Sequence, residues 1–287
     1  MRTEKIPFRK VEGTGFAGKL KNLRISVWLC VLFMTVLAAL IIFADPITAH
    51  DPTEVDLSLK FHKACTAYPF GCDDYGRCVF CRCVFAVRNS VGIAFTIELA
   101  AVLIGSLFGM TAAYFGRIAD QLFTTICSAL MSFPNVILAM LIIALLGPST
   151  RNIIVAMLIV DWIWYARITR SLTLSLKERK YVQAARMNGA SAATVLRRHL
   201  APGIIPQLIG QFTLNLGNVI LGIAGLSFLG LGIQRPTPEL GIMISDACSL
   251  IRTDFSLLLW PGMILFLVVL GFNVIGEFVS ERLRRQG

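Results

Sequence analysis

Charge is what this sequence has least of. Only 15% of its 287 residues are Asp, Glu, Lys or Arg, whereas 56% are hydrophobic, and the mean hydropathy is +0.72. Such a chain cannot cover itself with a hydrated surface, so a water-soluble globular protein is excluded and an integral membrane protein is implied. Acidic residues are fewer than basic ones, 17 against 27. Histidine is scarcer still. His50, His62 and His199 are scattered, and neither His-Glu-x-x-His nor Gly-x-Ser-x-Gly occurs, which removes the commonest zinc-protease and serine-hydrolase constellations. A membrane-embedded hydrolase needs a nucleophile and a base at one depth, and no such pair stands out.

What is abundant is apolar sequence. Runs at about Val27 to Ala44, Val91 to Phe115, Leu122 to Leu146, Ile153 to Tyr165, Ile205 to Leu229 and Leu257 to Ile275 nearly all suffice to cross roughly 30 Å of hydrocarbon as helices. They predict an all-α membrane protein with six transmembrane helices. The fourth run is the shortest and borrows Thr169 to Leu174 for its end. Pro134, after Ser132 and Phe133, kinks the third. The organisation read from this pattern is a basic N-terminus over 1–26, a first span over 27–44, an exterior loop over 45–88, a five-helix membrane domain over 89–280 and a tail over 281–287.

Lys and Arg set the orientation. The N-terminus carries Arg2, Lys5, Arg9, Lys10, Lys19, Lys21 and Arg24, and the tail carries Arg282, Arg284 and Arg285. Both termini are therefore expected on the cytosolic side, with Arg117 and the loop at about 175–203. The segments Asp45 to Arg88 and Gly232 to Phe255 fall outside. The net charge of +10 is spread over the inside loops rather than gathered on one aromatic-studded face, so topology explains it and nucleic acid is not an expected partner. No small-residue cleavage site follows Phe43, so the first run is read as a retained span rather than a signal peptide. Gly13 to Lys19 imitates a phosphate-binding Gly-x-x-x-x-Gly-Lys loop. Leu20 stands where Mg²⁺ needs Ser or Thr, and no strand precedes it, so nucleotide binding is not expected there.

The loop from Tyr181 to His199 is polar, basic and prone to helix. Gln183 to Met187 form helix well, Gly189 turns the chain, Ser191 is suited to cap a second helix, and Pro202 closes the unit. Two short helices meeting at a glycine make a compact knob suited to docking. A chain that moves solute uphill without a phosphate loop takes its energy from partner subunits or from an ion gradient, and a docking knob favours partners.

The residues Gln183 to Gly189, followed by Leu196 to Pro202, resemble the loop by which permease subunits of bacterial ABC importers seat on their ATPases. Gln183 stands where that family usually has Glu. Leu226 to Gly232, Pro236 to Gly241 and Met243 to Ala247 resemble the outer end of the fifth span in the dipeptide, oligopeptide and nickel permeases. Ala44 to Pro46 and Gly71 to Arg77 are similar to the loop after their first span, and Trp164 to Arg167 and Phe272 to Glu277 add weaker matches. The resemblance implies a subunit of the bacterial cytoplasmic membrane, paired with a homologous second permease, two ATPases and an extracytoplasmic solute-binding protein. No cofactor is expected on this chain, with ATP and Mg on the ATPases. It implies an ATPase-coupling role for Gln183, Ala184, Ala185, Arg186, Gly189 and Ala190, with Arg197 and Arg198 beside them, and a substrate among nickel, metal chelates and short peptides. The rival class is a gradient-driven carrier or channel, which inverted repeats would support; no convincing repeat is visible.

Ionisable residues inside apolar runs are the remaining candidates, since an acid at mid-bilayer costs about 2.5–3.5 kcal/mol on insertion scales. Asp161 sits about 13 Å along a helix from Arg170 and is read either as a pathway residue or as the partner of a polar group such as Asn218. Glu98 lies nearer the outer end and is read as structural. Gly105 and Gly109 form a Gly-x-x-x-Gly pair that predicts a close helix contact. Five of eight cysteines, Cys65, Cys72, Cys78, Cys81 and Cys83, crowd the exterior loop. Disulfides or lone buried thiols are one reading of them; a metal held by Cys78, Cys81 and Cys83 with His62 or Asp73 is the other.

Overall fold

The computed structural model describes residues 16–284, so the basic residues Arg2 to Lys10, the first part of the Gly13 to Lys19 segment and Arg285 lie outside the described residues. Helix α1 spans Phe16–Ile42 and a short α2 spans Ala44–Ile47. A long loop with one 3-10 turn at Leu57–Leu59 leads to α3, Val79–Phe115. Then follow α4, Arg117–Met131, α5, Asn135–Leu146, and α6, Thr150–Leu176. The knob consists of α7, Lys180–Met187, α8, Ala192–Thr194, and a π-helical turn, Val195–Leu200, that runs directly into α9, Ala201–Phe228. Helices α10, Leu240–Leu250, and α11, Ser256–Arg284, complete the chain.

Among the described residues four helices are long and apolar enough to cross a membrane alone: Val79–Phe115, Thr150–Leu176, Ala192–Phe228 and Ser256–Leu283. The third apolar run is bent more sharply than a kinked span. Helices α4 and α5 meet at 85° across Ser132 to Pro134, and only together do they make a fifth candidate. Proline explains the break, because it supplies no N–H to continue the ladder and its ring disfavours helical geometry before it. The apolar part of α1, Cys30–Ile42, is shorter than a span among the described residues.

Helix α3 starts well ahead of Val91, where the apolar run begins. At 37 residues it is about 55 Å long, more than the hydrocarbon is thick, so its charged first turns stand clear of the lipid. It packs along α6 through the two glycines. A Cβ on Gly105 would lie 2.5 Å from the Trp162 carbonyl oxygen, and one on Gly109 would lie 2.1 Å from that of Ala166. The expected close contact is therefore backbone against backbone, as small residues permit where lipid offers no hydrophobic drive for helix pairing. Helix α9 packs against α3, α6 and α11, and the main core is built from Ile97, Ile143, Ile153, Ile220 and Ile223 with their neighbours. Outward-facing Leu103, Leu107, Leu145 and Phe266 are exposed, as lipid-facing side chains must be.

Candidate functional site

At the centre of the helix bundle, the polar residues of three helices converge. Glu98 on α3 is fully buried. Its Oε1 accepts a hydrogen bond from Asn215 Nδ2 of α9 at 2.7 Å, and its Oε2 accepts one from the Tyr165 hydroxyl of α6. Asn218, one turn along α9, donates from Nδ2 to Asn215 Oδ1 at 3.4 Å and is itself exposed. Asp161 sits one helical turn before Tyr165 on α6. Its Oδ2 is buried and takes part in no hydrogen bond.

The structure thus joins two of the three membrane residues singled out in the sequence, Glu98 and Asn218, through Asn215, and ties Glu98 through Tyr165 to the helix that carries Asp161. Asp161 does not pair with Asn218, whose amide goes to Asn215 instead. Tyr165 and Asn215 gave no signal beyond being polar within an apolar run, and Tyr165 shares with Asp161 the four-residue spacing that puts both on one face of α6. Glu98 does not snorkel to water; it is the hub.

The knob is built on a second core. Val182 of α7 and Val195 of the π-helical turn are fully buried, in one core with Leu200 of that turn, Ile204 and Leu208 of α9, Ala101 of α3 and Tyr165 of α6. Helix α7 ends in a complete Schellman turn: Gly189 N donates to Arg186 O and Ala190 N to Ala185 O, both at 3.1 Å, with Gly189 at φ +80. Ser191 caps the next helix, accepting from Thr194 N at 3.3 Å. The outward face is Gln183, Ala184, Arg186, Met187 and Gly189, with Met187 88% exposed. Gln183 donates from Nε2 to the Glu178 carbonyl at 3.2 Å, a bond that the Glu of the resembling loops has no hydrogen to make. Ala185 and Ala190 are only half-exposed, and Ala190 packs inward on the core, because the Schellman turn folds it back beneath α7.

At the opposite end, two further segments meet. Arg82, almost fully buried, donates to Pro52 O at 2.9 Å and Pro236 O at 3.4 Å, and lies 3.6 Å from Asp73, which also pairs with Arg77 at 2.7 Å. Asn89 donates to Pro238 O at 2.9 Å, and Ser90 to Glu239 Oε1 at 3.3 Å. Glu239 Oε2 in turn caps α10 by accepting from Ile242 N, and burial pushes the Glu239 carboxyl above the usual carboxylate range. Arg82 therefore ties the loop after α1 to the loop after α9, and Asn89 and Ser90 fasten the latter to α3.

The metal reading of Cys78, Cys81 and Cys83 gains no support from the geometry. Among the described residues no group of three or more His, Cys, Asp or Glu is arranged to hold a metal ion. The reason is that α3 begins at Val79, so Cys81 and Cys83 are helical and point about 200° apart. Cys78 is spent as the helix cap, its Sγ accepting from Cys81 N at 3.5 Å. Asp73 is engaged by arginines, and His62 Nδ1 lies 2.8 Å from its neighbour's carbonyl oxygen.

Residues 102–286 match the family described as binding-protein-dependent transport system inner membrane component. The chain belongs to this family. It is 35% identical over 260 residues to the nickel transport system permease protein NikC of Escherichia coli K12, covering 91% of this chain and 94% of that protein. It is 36% identical over 263 residues to the dipeptide transport system permease protein DppC of Alkalihalophilus pseudofirmus, covering 92% and 86%. To the glutathione transport system permease protein GsiD of Pectobacterium atrosepticum it is 33% identical over 253 residues, covering 88% and 84%. The protein is thus an ABC importer permease of the dipeptide and nickel type, a multi-pass component of the inner membrane. Its relatives are permease subunits rather than enzymes, and a gradient-driven carrier or channel is set aside.

Proposed function

We propose that this permease forms one half of a translocation pathway, beside a homologous second permease, and that its knob seats on one of two ATPase subunits. On this reading the termini and the knob face the cytosol, as the Lys and Arg distribution requires, and α1 and the bent α4–α5 pair complete six crossings. The extracytoplasmic end, where the two arginine-tied loops meet, faces a solute-binding protein. ATP and Mg stay on the ATPases. The names of the relatives point to nickel or short peptides as cargo, and a metal chelate is the third candidate.

The observation that carries this reading is the continuity of the knob with α9. Leu200, Ile204 and Leu208 share the knob's core, and Asn215 continues the same stripe along α9 to Glu98, about 22 Å from Leu200. Tyr165 belongs to the same core as the knob's Val182 and Val195 and donates to Glu98. A push on α7 is thereby delivered to the polar centre through rigid helices rather than through a loop. Asn218, exposed and bonded to Asn215, places one edge of that centre on the surface available to the second permease.

Gly189 tests the docking. A Cβ there meets nothing within 4 Å, so a bulky side chain has room in the isolated subunit, and the backbone strain that φ +80 puts on an L side chain is gauged by Gly189→Ala, which carries it without the bulk and is expected to keep more uptake and ATP hydrolysis than the Trp variant. Gly189→Trp is expected to lower both uptake and transport-coupled ATP hydrolysis in the reconstituted importer about tenfold, equivalent to about 1.4 kcal/mol. Gly189→Asn, which tolerates the left-handed turn, is expected to keep most of both. Unchanged coupling in the Trp variant sinks the docking reading.

A further inference from the structure

Cys72 and Cys78 face each other across an isolated antiparallel bridge. The flanking residues make its hydrogen bonds, Asp73 N to Arg77 O at 3.0 Å and Val79 N to Gly71 O at 3.1 Å, so the cysteines themselves occupy a non-hydrogen-bonded pair. In such pairs the Cα atoms are about 4.5 Å apart and both side chains leave the same face. A disulfide needs a Cα separation of about 4.4–6.8 Å. The register is set by the backbone. The turn between the two is held by Asp73 Oδ1, which accepts from Tyr75 N and Arg77 N, each at 2.9 Å.

We infer that Cys72 and Cys78 are joined by a disulfide in the mature permease. The inference rests on the orientation proposed above, which puts this loop in the oxidising compartment. Two S–H bonds break and one S–S bond forms; two electrons and two protons pass to a protein disulfide of that compartment, which is released as its dithiol. Both side chains are buried, 1% and 3% exposed, and in this structure both are thiols. Burial pushes the Cys72 thiol up to about 11, which makes the packed thiol a poor nucleophile. Oxidation therefore belongs to the stage before the loop packs. The competing pair is Cys78 with Cys81, one helical turn on. Their proximity depends on the capping rotamer of Cys78, whereas the opposition of Cys72 and Cys78 is fixed by the ladder. The bond fastens the start of α3, the helix that carries Glu98.

The full importer, purified from membranes whose thiols are first blocked with N-ethylmaleimide under denaturing conditions, is digested with trypsin without reduction. Cleavage after Arg77 separates the two cysteines, so a bond between them leaves the peptides 64–77 and 78–82 joined, with fragmentation assigning the link to Cys72 and Cys78. The joined peptides are expected in wild type, C65S and C81S, and lost in C72S and C78S. Complete alkylation of Cys72 and Cys78 in wild type, or a link that survives in C72S and disappears in C81S, overturns the inference. In parallel, intact cells are treated with a membrane-impermeant maleimide. Exposed Cys65 shares the loop and reports its side of the membrane. An unlabelled Cys65 overturns the orientation, and the peptide result decides the bond in either case.

Discussion

Glu98→Ala is expected to lower the stability of the permease by about 3 kcal/mol or more and to abolish uptake. The loss has two parts. The Tyr165 hydroxyl and the Asn215 amide lose their acceptor, at about 1–3 kcal/mol for each donor left buried and unpaired. A cavity also opens between α3, α6 and α9, where Glu98 is fully buried. For a chain of this size the corresponding fall in Tm is about 6–12 °C, readable by thermal unfolding in detergent. Glu98→Gln keeps the shape and the Oε1 acceptor for Asn215, so it is expected to retain most of the stability. Uptake by that variant in proteoliposomes reads the contribution of the carboxyl itself. A Glu98→Ala protein as stable as wild type eliminates the polar centre as the tie between the three helices.

That centre was partly visible in the sequence because charge is rare within the apolar runs. Glu98 and Asp161 stand out by type alone, whereas the joining of Glu98 to α6 and α9 follows from packing that no periodicity reveals. Tyr165 and Asn215 are neutral and common, and what makes them important is a partner on another helix. The same contrast runs through the fold. The knob was legible because glycine, serine and proline are local signals and the Schellman turn is a local structure. Ala190 is half-exposed and packs partly on the core, because its own N–H closes the Schellman turn on Ala185 O just after Gly189. The 85° bend at Pro134 exceeds the kink a proline alone implies, since Ser132 N already closes α4 on Ser128 O and Ala129 O before the proline is reached. The metal alternative for the cysteines goes with a helix that starts at Val91, where the apolar run begins, whereas α3 already includes Cys81 and Cys83. Arg82 and Arg88 hid the helix from hydropathy, although Arg82 is buried against backbone carbonyls.

Gly109 is where the largest loss from the smallest change is expected. Replacing its hydrogen by a methyl group sets that carbon 2.1 Å from the Ala166 carbonyl oxygen, a contact with rigid backbone that no rotamer relieves. Helices α3 and α6 must separate, and overpacking of this kind costs about 1–3 kcal/mol for one carbon and more for a larger group. Gly92→Ala on the same helix is the control, because nothing lies within 4 Å of its Cβ position. Both substitutions raise helix propensity equally, so a difference between them isolates the contact. Gly109→Ala is expected to lower Tm by several degrees, Gly109→Leu to prevent recovery of folded importer, and Gly92→Ala to match wild type. Uptake by Gly109→Ala should fall further than stability alone dictates. Ala166 adjoins Tyr165, and a displaced α6 withdraws the hydroxyl from Glu98, disconnecting the knob from the centre it moves. If Gly109→Ala is as stable and active as Gly92→Ala, then α3 and α6 do not touch at this depth.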